Sequence, residues 1–302
     1  MIAGRPDLIV VGDVMADVSV ASEALAPGGD VHGEVRIRPG GGGANAAVWA
    51  AHSGAQVTLY GCVGDDLMGR ILSLALRASA VSASLAIRAD ARTGAMLVVR
   101  ERGERSMVAD RGANARLSPE DLPDRLAARA VLLSGYLLYD PRSEPAAGAA
   151  LGRAEAEFVA VDVSSWPLLE AHGRERFHAG ARRANFLLMN AREAEVLTGR
   201  PPVEAARALA ARYRWACVKL GAEGAVLATA DWLFTAPAPD VDEVDATGAG
   251  DAFDGVLLAE LSRGADPEAA LREACGAGAR AASSKGTWPE GAKRRRDPRR
   301  AS

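Results

Sequence analysis

Residues 245–253 read DATGAGDAF, and this short stretch indicates both the architecture and the chemistry of the chain. Gly248, Ala249 and Gly250 have little or no side chain, so their backbone N–H groups can approach a phosphate closely. A helix beginning at this turn would add the positive end of its dipole to the attraction for the anion. Asp251 would then lie in the first helical turn, where a carboxylate can orient an attacking hydroxyl and accept its proton. The stretch therefore predicts a phosphoryl-transfer site at a glycine-rich turn.

A second glycine-rich stretch lies near the other end of the chain. Residues 39–72 read PGGGGANAAVWAAHSGAQVTLYGCVGDDLMGRIL and pass from four glycines into a small-residue helix, a strand and another helix. Taken alone, the turn at 245–253 has a simpler interpretation, in which it only connects a strand to a helix and Asp251 favours the helix dipole. The second stretch favours the phosphate site, because the two together form a recognisable pair of signatures.

Five motifs together resemble the ribokinase family, whose members are also called the PfkB carbohydrate kinases. Besides the two glycine-rich stretches, residues 10–18 (VVGDVMADV) resemble the family's first strand with its substrate-binding aspartate. Residues 190–195 (NAREAE) resemble its N-x-x-E motif, and residues 218–227 (VKLGAEGAVL) resemble its strand–turn–strand beside the nucleotide. The motifs occur in the family's order, and the resemblance extends from residue 7 to about residue 290.

The resemblance implies an ATP-dependent sugar kinase with a ribokinase-like α/β fold. Residues 1–292 would form one domain, in which a mostly parallel central sheet is flanked by helices on both faces and carries a small β-sheet lid. The γ-phosphoryl group of ATP, bound with Mg²⁺, would pass directly to a hydroxyl of a small sugar or related polyol. Asp251 would accept the proton, and the amides of residues 248–250 would stabilise the transferring group. No G-x-x-x-x-G-K-[ST] sequence occurs, which excludes a P-loop kinase.

The apolar pattern predicts alternating strands and helices, which is typical of a mostly parallel sheet covered on both faces. Two helices are predicted at 66–79 and 202–214 from their periodic Ala, Leu and Arg residues. The glycine-rich turns follow strands and precede helices, where ligands bind in open α/β sheets. The predicted strands are LIVVG (8–12), QVTLYGCV (56–63), AVLLSG (130–135), FVAVDV (158–163), ANFLLMN (184–190) and WACVKLG (215–221).

Segments 14–38 and 93–111 interrupt this alternation. Both contain strand-like stretches, and a turn at Gly103 and Glu104 divides the second segment into two short strands. In the resembled family these regions form a lid over the sugar site and often also a dimer contact. We therefore expect a lid here, and a homodimer formed through it.

The acceptor-binding residues are expected after the first strand and in the first glycine cluster. Asp17 can accept hydrogen bonds from two neighbouring sugar hydroxyls, as the family uses its aspartate. Asp13 either caps the loop or contacts the substrate, and the sequence favours neither role. Gly41 and Gly42 let the backbone approach the substrate. Asn45 offers a donor and an acceptor to a hydroxyl, with a simple helix N-cap as the alternative.

The nucleotide-binding residues are expected in the C-terminal half. Asn190 and Glu193 are three positions apart, so they share one face of a first helical turn and can hold water around Mg²⁺ or contact phosphate. The same spacing is also a helix-capping signature. Lys219, Gly221 and Gly224 resemble the family's nucleotide-adjacent segment. Lys219 either interacts with the negative charge of the phosphates, or it is a lysine at the strand edge whose aliphatic stem is buried.

A monovalent cation is a further implication of the resemblance. Asp245 and Thr247, together with Ser283 and Gly286 of the stretch SSKGTWP (283–289), match the positions where many family members bind such an ion. A cation there would add positive charge behind the phosphate-binding turn. We therefore expect K⁺ in addition to ATP and Mg²⁺.

Composition agrees with an α/β enzyme of the cytoplasm. The 302 residues are 49% hydrophobic, enough for a large core, and no run of about 18 apolar residues or basic-then-apolar leader occurs. The few cysteines lack metal spacing and are expected to be buried free thiols in a reducing compartment. The histidines also lack ligand spacing, so they are expected on the surface or in loops, and a metal hydrolase has no support. These residues are Cys62, Cys217 and Cys275, and His32, His52, His172 and His178.

The final ten residues, KRRRDPRRAS (293–302), carry six basic side chains and one acidic side chain, although the whole chain has a net charge of −3. Such a tail can bind nucleic acid. Its shortness, its proline and its lack of aromatic residues instead favour a disordered, solvated end. We therefore expect no nucleic-acid partner and no membrane contact.

The acceptor itself is less well defined by the sequence. Sugar-acid and fructose kinases of the family usually carry a D-x-N-x-R pattern, where this chain has DVSSW (162–166). A nucleoside kinase is the alternative enzyme, but the lid segments lack an aromatic residue to stack on a base, which favours a sugar. Met15, Met96 and Met107 can still pack against a base. A catalytically silent sugar-binding regulator is a third alternative, which the retained Asp251 and glycines disfavour.

Six arginines lie in or beside the lid strands. They can receive an anionic substrate, or they are charges on edge strands that prevent aggregation, and the second interpretation is favoured. They are Arg36, Arg38, Arg100, Arg102, Arg105 and Arg111.

Overall fold

The computed structural model describes residues 5–22, 26, 28–101 and 104–289. The predicted basic tail (293–302), Arg102 and Gly103, and the side chains of Arg100 and Arg105, lie outside this description. The strands of the described part are β1 (Leu8–Val11), β2 (Met15–Ser22), β3 (Glu34–Gly40), β4 (Val57–Gly64), β5 (Ser82–Arg88), β6 (Gly94–Glu101), β7 (Glu104–Asp110), β8 (Leu126–Ala127), β9 (Ala130–Ser134), β10 (Ala154–Glu155), β11 (Phe158–Asp162), β12 (Phe186–Asn190), β13 (Trp215–Lys219), β14 (Ala225–Ala228) and β15 (Leu233–Ala236).

Helices connect most of these strands. Three short 3₁₀ helices span Gly112–Arg116, Pro119–Asp121 and Gly221–Glu223. The α-helices are α1 (Gly42–His52), α2 (Leu67–Ala78), α3 (Tyr136–Tyr139), α4 (Glu144–Arg153), α5 (Trp166–His172), α6 (Arg174–Gly180), α7 (Ala191–Thr198), α8 (Pro202–Tyr213), α9 (Ala249–Ser262) and α10 (Pro267–Ala282).

The central sheet contains nine strands in the order β15-β14-β13-β12-β11-β9-β1-β4-β5. β1 lies inside the sheet, where Leu8 is in register with Val57 of β4 on one side and Ala130 of β9 on the other. All pairs are parallel except β13–β14 and β14–β15, which are antiparallel. The prediction of a mostly parallel sheet is confirmed.

Helices cover both faces of this sheet, as predicted. Alternate residues of a strand point to opposite faces, so each buried strand serves two cores. Leu8 and Val10 pack in the core that α1, α2, α9 and α10 cover, whereas Ile9 and Val11 pack in the core that α4 to α8 cover. Both faces of the central strands are therefore shielded from water.

A separate four-stranded sheet, here called the lid, has the order β3-β2-β6-β7. It forms from the two segments that interrupt the alternation of strands and helices. β6 and β7 form the predicted hairpin, with Glu101 opposite Glu104. β2 follows β1 after only three residues, and β3 leads directly into α1. The lid strands therefore begin and end beside the carboxyl ends of the central strands.

The predicted strands and the two predicted helices are confirmed to within one or two residues at each end. The cysteines are buried free thiols, as expected. The prediction for His178 is wrong: it is buried in α6, where its ring hydrogen-bonds to the Tyr213 hydroxyl over 2.7 Å. Across the described ranges, no helix has both the length and the apolar character needed to cross a membrane.

Candidate active site

A cavity of about 340 Å³ lies between the lid and the carboxyl ends of the central strands. Ligands of open α/β sheets bind at this edge, because loops leaving parallel strands converge there. We call it the acceptor cavity. Its polar lining includes Asp13 after β1, Ser134 of β9, Asp162 of β11, Asn190 of β12, and Asp17, Asn45, Arg111, Tyr136, Thr247 and Asp251.

The glycine-rich turn opens α9, as the sequence predicts. Gly248 is the residue before the helix and has the left-handed conformation (φ 80°) that glycine adopts at little cost. Ala249 and Gly250 begin the helix, so their N–H groups lie at its positive end. Asp251 is in the first turn, and its Oδ2 accepts a hydrogen bond from Asn45 Nδ2 over 2.8 Å.

Asp17 and Asp251 are two carboxyl groups of the acceptor cavity whose pKa values lie well above the ordinary value of an aspartate. Burial, with a smaller contribution from the negative charge of Asp251, raises the pKa of Asp17 to about 7. Burial also raises the pKa of Asp251 to about 6, although the hydrogen bond from Asn45 opposes this shift. Asp17 lies on β2 and accepts a long hydrogen bond, 3.4 Å, from Thr287 Oγ1. Near neutral pH, both groups are poised to exchange protons.

Asp13 forms a buried ion pair with Arg111. Arg111 donates through Nε and Nη2 to the two carboxylate oxygens of Asp13, at 2.9 and 2.8 Å, and through Nη1 to Asp140 and Ser143. Asp13 is only 2% exposed. The prediction that the lid arginines are solvent-facing charges on edge strands is thus wrong for Arg111. This residue follows the end of β7, and Asp13 compensates its charge inside the molecule. Arg36 and Arg38 instead line a separate surface cavity with Asp245 and Lys285.

The first glycine cluster brings the backbone close to the cavity. A Cβ on Gly41 would lie 2.6 Å from the Asp13 carbonyl oxygen, and one on Gly42 would lie 3.2 Å from Asp251 Oδ1. Both residues line the acceptor cavity. Asn45 is not the helix N-cap, since α1 already begins at Gly42. Its buried amide is held on both sides by protein groups, Asp251 and the indole of Trp288.

A second cavity, of about 430 Å³, lies on the other side of the α9 turn. We call it the nucleotide cavity. The sequence-predicted Lys219, Gly221 and Gly224 line it, together with small residues of α9 and α10. A Cβ on Gly224 would lie 1.9 Å from the Ala236 carbonyl oxygen, so only glycine fits. Both cavities share Ala246, and the 246–251 turn separates them.

Lys219 is held by two carboxylates under the α9 turn. Its Nζ donates to Asp162 Oδ1 over 3.0 Å and to Asp254 Oδ2 over 2.7 Å. Burial lowers the pKa of Lys219, but the two carboxylates raise it by more, so the ammonium stays charged. A Cβ on Gly250 would lie 3.5 Å from this Nζ. Lys219 is thus a buried-stem lysine whose charge lies against the turn at the start of α9.

Asn190 and Glu193 form a capping box at the start of α7. Asn190 Oδ1 accepts from the Glu193 N–H over 2.9 Å, and Glu193 Oε2 accepts from the Asn190 N–H over 2.8 Å. Burial raises the pKa of Glu193 to about 7, with Asp162 adding to the shift. Asn190 lines the acceptor cavity, but the described lining of the nucleotide cavity includes neither residue.

The residues expected at the cation site lie in two adjacent loops. The backbone N–H of Asp245 donates to Ala282 O over 2.9 Å, which joins the loop before α9 to the end of α10. Thr247 donates to Asp245 Oδ1 through both its N–H and its hydroxyl. Ser283 is exposed and its hydroxyl donates to a carbonyl of α10, whereas the Gly286 carbonyl accepts from Ser284. In the described part of the chain, no cluster of three His, Cys, Asp or Glu residues could hold a metal ion.

Several residues in or beside the acceptor cavity have roles that the sequence did not predict. Tyr136 follows β9, and its position after a predicted strand was a usable signal. Arg111 has no local signal, because its partner Asp13 is 98 positions away. Thr287 and Trp288 lie in the stretch 283–289, which the sequence links only to cation binding, yet they contact Asp17 and Asn45.

Comparison with known proteins agrees with this geometry. The family model for pfkB family carbohydrate kinases matches residues 5–290. The chain is 35% identical over 237 residues to an aminoimidazole riboside kinase of Salmonella typhimurium, with 74% of each chain covered. It is 32% identical over 269 residues to a mouse ribokinase, covering 84% of this chain and 81% of the relative.

A solved structure shares the fold over nearly the whole chain. The aminoimidazole riboside kinase of Salmonella enterica, crystallised with aminoimidazole riboside and an ATP analogue, superposes with a TM-score of 0.78 at 29% identity. The superposition covers 93% of this chain and 94% of that one. With its two cavities meeting at the α9 turn, the chain belongs to the PfkB family of carbohydrate kinases and is an ATP-dependent phosphotransferase.

Proposed function

We propose that this kinase phosphorylates a hydroxyl of a small, neutral sugar bound in the acceptor cavity. The observation that carries the proposal is the position of Asp251, on the turn between the acceptor cavity and the nucleotide cavity. An acceptor hydroxyl beside Asp251 would face a γ-phosphate resting on the 248–250 amides. The hydroxyl attacks in line, Asp251 accepts its proton, and ADP leaves.

Each acceptor residue has a role in this proposal that follows from its contacts. Asp17 accepts hydrogen bonds from neighbouring sugar hydroxyls, since its Oδ2 is only weakly engaged by Thr287 at 3.4 Å. Gly41 and Gly42 leave room for the sugar ring, and Asn45 holds Asp251. Asp13 acts indirectly, because both of its carboxylate oxygens are already bound by Arg111.

The charge of the cavity supports a neutral acceptor. Five aspartates and one arginine are the charged side chains of its described lining, and that arginine is paired with Asp13. Lys219 compensates Asp162 and Asp254, but a sugar acid or sugar phosphate would still meet the negative charge of Asp17 and Asp251. This agrees with the missing D-x-N-x-R pattern at 162–166.

The nucleotide cavity fits ATP in size and lining. Gly221 and Gly224 keep its wall free of side chains, and Ala249, Phe253 and Ala279 add apolar surface for a base. Lys219 stabilises negative charge from beneath the turn rather than by direct contact with phosphate. Mg²⁺ would neutralise the phosphates and orient them, and Asn190 with Glu193 would hold its water shell from the acceptor side.

A monovalent cation between the two loops at 244–247 and 282–286 is part of the proposal. The backbone hydrogen bonds between these loops supply the rigidity that carbonyl ligands need. K⁺ there would strengthen the positive potential at the α9 turn. Asp245, Thr247 and Gly286 are the proposed contributors, with Ser283 contributing its backbone only.

A riboside is the second candidate acceptor. The lid brings three methionines, Met15, Met96 and Met107, to the acceptor cavity, and Tyr136 adds an aromatic ring from below. These groups could pack on a base in place of the absent lid aromatics. The similarity to an aminoimidazole riboside kinase points the same way.

We also propose that two copies associate through the outer face of the lid. Opposed pairs in the lid register place Val18, Val35, Ile37, Leu97 and Val108 on one face. Val35, Ile37 and Val108 are 62%, 57% and 66% exposed, which is unusual for neighbouring aliphatic residues. A second copy would cover them.

The experiment that tests the activity is a coupled ADP-release assay with Mg²⁺ across sugars, sugar acids, sugar phosphates and ribosides. We expect turnover only with an acceptor present, fastest with a neutral sugar. Turnover of ribosides alone would favour the second candidate. Silence across the panel, from protein that still binds ATP, would support the sugar-binding regulator instead.

A further inference from the structure

Two hydrogen bonds join Trp288 to Asp251 through Asn45. Trp288 Nε1 donates to Asn45 Oδ1 over 2.9 Å, and Asn45 Nδ2 donates to Asp251 Oδ2 over 2.8 Å. The first bond spans 243 positions of the sequence and the second spans 206. The chain of contacts therefore connects the segment after α10 to α1 and then to α9.

The indole and the Asp251 carboxylate favour the same orientation of the Asn45 amide. An asparagine amide can turn over, exchanging its oxygen and its NH₂ group with almost no change of shape. An indole N–H can only donate, so it favours the amide with the oxygen toward Trp288. The carboxylate can only accept, so it favours the NH₂ group toward Asp251. The indole therefore adds a second hydrogen bond that keeps the NH₂ group facing Asp251.

The bond from Asn45 in turn selects one oxygen of Asp251. Oδ2 accepts this bond, whereas Oδ1 faces the open space over Gly42, where a Cβ would lie 3.2 Å away. We propose that Trp288 is a positioning residue for phosphoryl transfer: it fixes the Asn45 amide, which turns Oδ1 of Asp251 toward the acceptor hydroxyl. This inference rests on the proposed role of Asp251 as the base.

The backbone that carries Trp288 is itself fixed. Trp49 Nε1 donates to the Thr287 carbonyl oxygen over 2.8 Å, and the Thr287 hydroxyl donates to Pro39 O over 3.2 Å. Trp49 and Thr287 are 3% and 5% exposed. Because these contacts need no ligand, the indole is in place before the acceptor arrives, as positioning groups should be.

The first test measures the protonation of Asp251 without any acceptor. NMR titration of protein carrying ¹³Cγ-aspartate, with the signal assigned through Asp251→Asn, compares the wild type with Trp288→Phe. Phe keeps the ring but loses the N–H donor. The hydrogen bond from Asn45 lowers the pKa of Asp251, so a less firmly held amide should raise that pKa above its value of about 6.

The other groups around Asp251 stay the same in this comparison. Asp17 faces it from β2, Asp162 from β11, Lys219 from β13 and Tyr136 from α3. The matched control is Trp232→Phe, at a partly buried tryptophan of an aromatic cluster with Trp215 and Phe234. It should leave the Asp251 titration unchanged.

The second test uses kinetics with the best acceptor of the panel. Trp288→Phe should lower kcat roughly three- to tenfold with little change in KM for the acceptor. Since Trp288 acts through Asn45, the double variant Trp288→Phe/Asn45→Ala should lose no more activity than Asn45→Ala alone. Additive losses, or an Asp251 titration like that of the wild type, would overturn the inference.

The same set of variants separates this inference from the proposed function. If Asp251→Asn retains full turnover, the role of Asp251 itself is wrong. If Asp251→Asn is inactive while Trp288→Phe matches the wild type in both titration and kcat, only the role of Trp288 is wrong. If Trp288→Phe only lowers the melting temperature and leaves the Asp251 titration unchanged, the role of Trp288 is structural.

Discussion

At the residue scale, Asp17 and Asp251 place two carboxyl groups in one partly buried cavity. Burial disfavours the charged form of each, repulsion from Asp251 adds to the effect at Asp17, and the Asn45 bond restores part of the preference for ionised Asp251. A general base works best when its pKa lies near the working pH. The geometry therefore suits Asp251 to take a proton at neutral pH and to release it afterwards.

Replacement of Asp251 by Asn removes the proton acceptor and keeps the side-chain size. We expect kcat to fall by about 10²–10⁴, the usual contribution of a positioned base, with acceptor affinity little changed. Steady-state kinetics and isothermal titration with the acceptor measure the two quantities. A variant that retains most of its turnover would show that Asp251 serves only the helix dipole.

The pH dependence of kcat/KM follows from the same pKa values. The base must be ionised, so kcat/KM should rise with pH through about 6, the pKa of Asp251. Asp17, with a pKa of about 7, should extend the rise if its ionised form binds the sugar better. The measurement is a pH–rate profile in buffers of constant ionic strength. A flat profile between about pH 5 and about pH 8 would contradict the assignment.

The ion pair of Arg111 with Asp13 allows a stability prediction. Arg111→Met leaves the nearly fully buried Asp13 without its cation, and breaking such a pair typically costs about 3–5 kcal/mol. Urea unfolding at pH 7 measures the loss. The double variant Arg111→Met/Asp13→Asn should recover much of it, because no buried charge is left uncompensated. Equal losses in both variants would show that the charge pairing contributes little.

At the element scale, the lid has an inner face toward the acceptor cavity and an outer face toward solvent. Its inner face carries Asp17 and Met96, while opposed aliphatic pairs such as Val18 and Ile37 occupy the outer face. A soluble monomer rarely exposes a continuous apolar sheet face. In our proposal the inner face serves substrate binding and the outer face serves association of two copies.

The outer face yields a prediction about assembly. Ile37→Asp places a charge within this face and should convert a dimer into a monomer, as measured by light scattering after size exclusion. Leu74→Asp, at an exposed position of α2, is the control and should leave the mass unchanged. A wild-type protein that is already monomeric at high concentration would refute association through the lid.

Short-range patterns were sufficient to predict many elements. Buried parallel strands such as β1 and β9 are unbroken apolar runs, so their sequences differ clearly from their surroundings. β5 was missed because it is an edge strand, where the polar sequence SASLAIR is only partly buried. His178 was misjudged because α6 is short and its charged residues hide the buried side that His178 shares with Phe177.

The candidate site was predictable where its functional groups lie on one turn of the chain. The anion-binding amides and Asp251 are adjacent in the chain, so the sequence alone indicates their joint use. The partners of Asp13 and Asn45 were not predictable, because only the folded sheet brings Arg111 and Trp288 to them. Residues that pair over such long distances in the sequence do not form a local motif, so their contact cannot be predicted from spacing.

At the scale of the whole molecule, the loops at 244–247 and 282–286 join the α9 turn to the end of α10. If K⁺ binds between them, activity should be higher in KCl than in tetramethylammonium chloride at equal ionic strength. The ADP-release assay measures the ratio, with a melting curve in each salt as the control for stability. Identical rates in the two salts would remove the cation from the mechanism.

The contacts of Thr287 and Trp288 also bear on how the protein is made. A ribosome adds these residues after every strand and helix of the central sheet, yet Thr287 meets Asp17 across 270 positions. Chains fold largely in order of synthesis, so most of the core can form before Thr287 and Trp288 reach Asp17 and Asn45. A truncated variant that stops before residue 284 should therefore still fold its central sheet and resist protease there, yet bind the acceptor more weakly. The hydrogen bonds that hold Asp17 and Asn45 would then be among the last contacts of the site to form.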